Sequence, residues 1–561
     1  MADFDFTSFE LARPNLDEVR ARYDEFVSQL RNAESAAAVV DVVRAWDSYR
    51  RELITWEELT LVRFEQDTRN EEYKANREFC DEIHPKFIEL ALKIKTALLE
   101  SPYRAELEQE WGQQAFELWD VERLTYSPVI EQDMVEESKL GAQYTELLAS
   151  AKLDFRGEQI NLPEITKYGE VADRETRHAA QQVYWQWFLG QRSKLDEIFD
   201  KMVQVRTNMA AKLGFKNFTE LGYKRMSRID YNRDDVERFR DSVRTTVTPL
   251  ACRVRERQAK LLGVDKLMHW DESVHDPNGN PKPQGDHDWM LERAQDMFDS
   301  LGSGLDEFFR LMTASRLLDL KTREGKAGGG FCTDFPGIEL PFIFANFNGT
   351  KGDVEVFTHE VGHAFQNYCS RNQPLYEYLW PTCESCEIHS MSLEFLTWPE
   401  MERFFGDDAD RFRKIHLTQS LLFLPYGVAV DHFQHLIYDQ PDATPDQRHQ
   451  MWQQVEEMYL PWKDFGDLEH PHQGGFWQRQ PHIFGSPFYY IDYTLAQTCA
   501  LQFWVRSRAD FAEAMDAYVK LCTRGGEAPF QQLATSAGLI SPFEPGCLED
   551  VVDQACSVLE V

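Results

Sequence analysis

Apolar residues recur at helical spacing through most of this 561-residue chain. Leu16, Val19, Tyr23, Phe26, Val27 and Leu30 fall at steps of three and four after Asn15, which predicts a capped amphipathic helix. Ser35 caps a second predicted helix running through Ala37 to Phe64, and a third, highly charged, runs from Asn70 towards Leu98. The helical habit persists to about Leu148 and breaks at Leu153–Pro163, where short alternating pieces flank Arg156-Gly157 and predict a hairpin. Helices resume near Asp173, with Tyr184, Trp185, Trp187 and Phe188 crowded into one stretch that reads as core. Gly214–Phe218 and Asp230–Asn232 are turn signals, and 276–283 is a loop by composition. The expected division is an N-terminal helical lobe over 1–165 and a catalytic region over 166–561.

The pattern changes character at His359-Glu360-Val361-Gly362-His363. Residues four apart on an α-helix differ by about 40° in rotation and one turn in height, so both imidazoles can face one point. Neutral imidazole is a good zinc ligand. Glu360, next to the first His, is a candidate base for a water activated by the metal. Val354, Val356, Phe357, Val361, Ala364, Phe365 and Tyr368 clothe the segment with apolar groups. A buried trio of this kind demands compensation, which a metal would supply. The third ligand is expected downstream among Glu377, Glu384, Glu387 and Glu394, the last two on one helical stretch. The metzincin continuation is excluded, because Gln366 and Cys369 stand where it needs Gly and His.

Three nearby features bear on that reading. Ala327–Cys332 holds three consecutive Gly but no Gly-Lys-Ser/Thr, so it suits a mobile loop or a close backbone approach to a ligand better than a phosphate loop. Pro341–Gly349 predicts a strand just before the metal helix. Its edge, at Phe344, Ala345 and Asn346, could pair with an extended peptide; a plain structural hairpin is the equal alternative. Cys383-Glu384-Ser385-Cys386 has neither a second such pair nor a thioredoxin-like context and reads as incidental.

Composition narrows the partners. A net charge of −35 repels nucleic-acid phosphates and anionic membranes alike. The acidic start Met-Ala-Asp-Phe-Asp-Phe does not resemble a signal peptide, no apolar run suits a membrane span, and ten scattered Cys fit reduced thiols. A cytoplasmic monomer or small homo-oligomer is the expectation.

His482-Ile483-Phe484-Gly485-Ser486-Pro487-Phe488-Tyr489-Tyr490-Ile491-Asp492-Tyr493 clusters phenols with an imidazole, groups that can stabilise an oxyanion. Taken with His359–Ala364 and Glu387-Ile388-His389-Ser390-Met391-Ser392-Leu393-Glu394, it resembles the zinc oligopeptidase family of thimet oligopeptidase, oligoendopeptidase F and Pz-peptidase, most closely its last two branches. The resemblance implies a mostly α, two-lobed ellipsoid with a deep substrate channel and a small β-sheet near the zinc helix. It implies one Zn2+ per chain on His359, His363 and Glu387, with Glu360 as base and no ligand role for Glu394. His482, Tyr490 and Tyr493 match the family's transition-state donors. Tyr489 stays a further candidate, because the His-to-Tyr spacing differs from that of thimet oligopeptidase. The expected activity is hydrolysis of internal bonds in short unstructured peptides. A carboxypeptidase on the same scaffold, or an inert peptide-binding protein, is the alternative.

Overall fold

The computed structural model describes residues 4–277 and 279–561; Met1-Ala2-Asp3, and Asn278 of the loop expected over 276–283, lie outside the described residues. The chain is mostly α, with one two-stranded and one three-stranded sheet among the described residues. The elements used below are α1 (Leu16–Arg31), α2 (Ala36–Gln66), α3 (Glu71–Leu99), β1 (Leu153–Phe155), β2 (Glu158–Ile160), α4 (Arg174–Lys212), β3 (Leu318–Lys321), β4 (Phe331–Phe335), β5 (Leu340–Phe347), α5 (Lys351–Ser370), α6 (Cys383–Leu396) and α7 (Tyr490–Ala509). No helix among the described residues is long and apolar enough to cross a membrane.

Local chemistry sets the helix starts. Asn15, Ser35, Asn70 and Asp173 each accept hydrogen bonds from first-turn backbone N–H groups of α1, α2, α3 and α4, as the sequence predicts for Asn15 and Ser35. The hairpin β1–β2 turns through Arg156 and Gly157, both at positive φ (54° and 85°). On α4, Trp185 and Phe188 are buried core, while Tyr184 and Trp187 are half-buried.

The chain folds as two compact units, each built from three separate stretches: Met1–Arg123 with Lys282–Ala409 and Cys499–Leu539, and Leu124–Pro281 with Asp410–Thr498 and Ile540–Val561. This grouping cuts the chain differently from the linear division at 165. The first unit contains α1–α3, the three-stranded sheet, α5 and α6. The second contains β1, β2, α4 and the His482–Tyr493 segment.

In the first unit the strand order is β3-β5-β4, with β5 parallel to β3 and antiparallel to β4. Phe344 is paired with Phe331 on one side and Asp319 on the other. The strand expected to offer a free edge is therefore the central one, and Phe344 has no edge to give. Ala345 offers its carbonyl to Lys326 Nζ (2.5 Å), and Asn346 Nδ2 donates to the carbonyls of Ala327 and Gly329 (2.9 Å each). The two residues hold the Gly-rich loop rather than facing outward. The edge strands of this sheet are β3 and β4.

α5 leaves β5 after a tight turn at Gly349 (φ 82°), whose N–H donates to Asp353 Oδ2 (2.6 Å). It then crosses α6 at very close range: a Cβ on Gly362 would lie 2.6 Å from Ser390 Cα and 2.7 Å from the His389 carbonyl oxygen. Only a residue without Cβ lets the two backbones approach so closely. In the second unit the segment before α7 turns at Phe488, a buried non-Gly residue at φ 67°. Gln434 Oε1 accepts from its N–H (2.8 Å), and Arg228 donates to its carbonyl and to Asp492 Oδ1 (2.6 Å). Arg228 and Asp492 are fully buried, so this pair locks the strained turn that carries Tyr489 and Tyr490.

Two stability outcomes follow. Gly362→Ala places a methyl against immovable backbone and costs about 2 kcal/mol or more, read as a lower unfolding midpoint in urea. Arg228→Met removes the buried charge that pairs with Asp492 and costs about 3–5 kcal/mol, read the same way; an unchanged midpoint in either case contradicts the packing described.

Candidate metal centre

α5 carries His359, Glu360 and His363, and α6 carries Glu387, Ser390 and Glu394. Because the two helices touch at Gly362, the residues flanking it on α5 face the stretch Glu387–Glu394 of α6. His359 Nε2 lies 3.3 Å and His363 Nε2 3.5 Å from the same Glu387 Oε2. One ligand atom from each of the three lies within 4.8 Å of the others. Two ligands held about 2.05 Å from a tetrahedral zinc stand roughly 3.3 Å apart, so the two distances to Glu387 Oε2 and the His2Glu chemistry fit such an ion.

Electrostatics point the same way. Three carboxylates, Glu360, Glu387 and Glu394, surround two imidazoles. Burial pushes the Glu387 carboxyl up, but His363 and His359 beside it hold it well below the usual carboxylate range. Burial pulls the His359 imidazole down, yet its hydrogen bonds to Glu387 and Glu394 outweigh that and hold it well above the ordinary value. The pocket favours positive charge.

The surrounding groups orient the trio. His359 Nδ1 contacts Glu394 Oε1 at 2.7 Å, so Nε2 is left to face Glu387. This is the carboxylate–histidine pairing typical of metal ligands, and it gives Glu394 a positioning role that motif spacing did not assign. The signal was present: Glu387 and Glu394 are seven residues apart, two turns along one helix face. Ser390 Oγ donates to Glu387 Oε2 (3.0 Å). Beside His363, the Trp380 ring (centroids 6.5 Å apart) is pinned through Nε1 to Asp334 Oδ1 (2.9 Å). Glu377 is engaged elsewhere, pairing with Arg50.

Glu360 is buried, and its Oε2 has no hydrogen-bond partner. Burial raises its pKa, partly opposed by His359 and His363. A carboxylate stripped of water beside a cation-seeking cluster is a poised proton acceptor. Gly330, at the end of the Gly run, passes close by: a Cβ there would lie 3.7 Å from Glu360 Oε1. Val356, expected among the apolar cover of the helix, is instead exposed at 41% and stands against Gly330.

In the second unit, His482 gathers the three tyrosines: its ring centroid is 5.9 Å from Tyr489, 5.0 Å from Tyr490 and 5.8 Å from Tyr493. All four are half-buried. Gln480 Nε2 donates to His482 Nδ1 (2.7 Å), so the ring proton sits on Nε2, and burial lowers the imidazole's pKa. Burial holds the Tyr490 phenol well above its ordinary value. At neutral pH His482 and Tyr490 therefore present an N–H and an O–H donor without formal charge. Gln480 Oε1 in turn accepts from Tyr426 (2.8 Å), a partner not singled out from the sequence.

Comparison with known proteins agrees with this chemistry. A model described as Peptidase M3 N-terminal domain matches residues 6–126, and one described as Peptidase family M3 matches 168–550. A candidate oligoendopeptidase F solved at 3.1 Å is 47% identical, with a TM-score of 0.93 and 99% of each chain covered. A Pz-peptidase A solved with an inhibitor is 45% identical, also with a TM-score of 0.93 over 99% of each chain. An oligoendopeptidase F homologue of Mycoplasma pneumoniae is 25% identical over 243 residues, 40% of this chain and 37% of that protein. The chain spans about a quarter to a half of the length of the curated relatives it matches. Since the family match covers more than half of the chain and contains His359, Glu360, His363 and Glu387, the chain belongs to peptidase family M3 and is by that membership a metallopeptidase.

Proposed function

We propose that the chain is a zinc-dependent oligoendopeptidase that hydrolyses internal bonds of short, unstructured peptides. The observation that carries this reading is the convergence of His359 Nε2, His363 Nε2 and Glu387 Oε2 beside the unpartnered Glu360 Oε2. His359, His363 and Glu387 would hold one zinc ion, with Glu394 fixing the His359 ring. When bound, zinc supplies a Lewis acid that polarises the scissile carbonyl and acidifies a water. Glu360 takes the proton of the attacking water and returns it to the leaving amine nitrogen. Its burial keeps the carboxylate from being spent on bulk solvent. His482, Tyr490 and Tyr493, with Tyr489 as a further candidate, are the donors assigned to the developing oxyanion, supported by the gathering of the three phenols around one imidazole. An extended substrate would pair with β4, one of the two edge strands, whose first residues, Phe331–Thr333, are half-buried. Phe344, Ala345 and Asn346 would then support that strand from behind. A cytoplasmic setting and a monomer or small homo-oligomer complete the proposal.

The test is product mass after incubating the purified chain with an internally quenched peptide of about ten residues, with and without a chelator. Internal cleavage that stops on chelation and returns with zinc is the expected result; stepwise loss from one terminus contradicts it. Glu360→Gln retains about one zinc per chain while turnover falls roughly 10²- to 10⁴-fold; full activity in the zinc-loaded variant removes Glu360 as the base. Glu394→Gln weakens zinc binding by about 10- to 100-fold, measured by competition with a chromogenic chelator.

A further inference from the structure

The second unit contains a cavity of about 380 Å³ walled by Arg255, Lys463 and Arg479 together with Glu272, Tyr426 and Trp462. In a chain of net charge −35, three basic groups around one cavity run against the prevailing field. Two of them share one carboxylate: Lys463 Nζ lies 2.7 Å and Arg255 Nη2 3.7 Å from Glu272 Oε2. Glu170, the other acid on the wall, accepts from Asn280 (2.7 Å). Arg479 is different. Among the described residues no carboxylate pairs with it; its hydrogen-bond partners are the phenols of Tyr426 and Tyr184, and its guanidinium stacks 4.4 Å from the Phe476 ring.

Donors are also in excess. Arg255 Nε, Arg479 Nε and Trp462 Nε1 are buried N–H groups with no hydrogen-bond partner. Three such orphans on residues that line one cavity lower stability, and leave these side chains short of acceptors. A carboxylate answers both imbalances, since it brings one negative charge and about four lone-pair sites. The cavity also adjoins the His482 cluster. Tyr426, on its wall, contacts Tyr490 (centroids 5.8 Å) and reaches His482 through Gln480. Phe423, also on the wall, lies 5.7 Å from Tyr490.

We propose that this cavity is a substrate subsite in which Arg479, aided by Arg255 and Trp462, takes a carboxylate of the peptide, either its C-terminus or an acidic side chain. The inference rests on the peptidase reading for the identity of its ligand. It makes Arg479 a specificity-determining residue and gives a strongly acidic protein a place where an acidic peptide end is welcome. The size of the cavity suits one or two residues of a peptide rather than the surface of a folded protein.

The experiment uses four peptides of one core sequence of about ten residues, ending in a free acid or an amide, each with and without an internal Glu. Dissociation constants are read by titration calorimetry on the zinc-loaded Glu360→Gln chain, and cleavage by mass on the parent chain. A carboxylate engaged by Arg479 binds roughly 10- to 100-fold more tightly than its neutral counterpart. Dependence on the terminus identifies the C-terminal carboxylate, and dependence on the internal Glu identifies the side chain. Adding Arg479→Gln brings the ratio towards one, whereas Arg479→Lys keeps part of it. Four constants within twofold of one another, a ratio that survives Arg479→Gln, or no binding of any peptide overturns the subsite. If Arg479→Gln does not fold, the ratio in the Glu360→Gln chain and its change in Arg479→Lys decide. Discrimination without cleavage leaves the subsite standing and removes the peptidase reading; cleavage without discrimination does the reverse.

Discussion

The contact between α5 and α6 at Gly362 is the constraint on which the metal centre depends. Helix axes usually stand 8–10 Å apart, at a distance set by the side chains between them. Here the side chain is absent, and Ser390 and the His389 carbonyl occupy its place. His359 and His363, one turn apart around Gly362, are thereby brought within reach of Glu387 and Glu394 on the facing helix. A wider crossing would leave short carboxylate arms unable to bridge the gap. The glycine inside the motif acts through packing; backbone freedom is not what it contributes, since its conformation is helical.

Charge is distributed unevenly in a way that bears on function. In the first unit, three carboxylates converge around two imidazoles, and the local demand is for a cation. In the second, the residues lining the cavity beside Tyr426 leave three N–H groups unpartnered, and among the described residues no carboxylate pairs with Arg479. Neither arrangement is what folding alone would select, because buried polar groups without partners lower stability. Each is what a ligand of the complementary sign would satisfy: the proposed metal in one case and the proposed carboxylate in the other. The His482 cluster is different again, neutral but rich in donors, and it is held by the Arg228–Asp492 pair that secures the left-handed Phe488.

Much of this was legible from residues alone. Caps at Asn15, Ser35, Asn70 and Asp173 and the Arg156-Gly157 hairpin are local signals, and local hydrogen bonding enforces them whatever the rest of the chain does. The two His of the motif converge because helical geometry fixes the angle between positions four apart. The sequence also narrowed the third ligand to a few downstream Glu, and the resemblance to the zinc oligopeptidases singled out Glu387.

Other features depended on long-range neighbours. Pro341–Gly349 reads as a strand in any context, but whether it is an edge depends on two other segments, β3 and β4, which flank it. Glu394 and Glu377 are both downstream carboxylates; tertiary packing sends one to His359 and the other to Arg50. Arg479 looks like any other basic residue in a chain with 60 of them, and becomes distinctive only when no acid is found beside it. Helices, turns and the motif's own geometry are thus properties of short stretches, set by hydrogen bonds a few residues long. Strand order, the partners of buried charges and the walls of a cavity are set by residues up to hundreds of positions apart, and only the folded chain decides them.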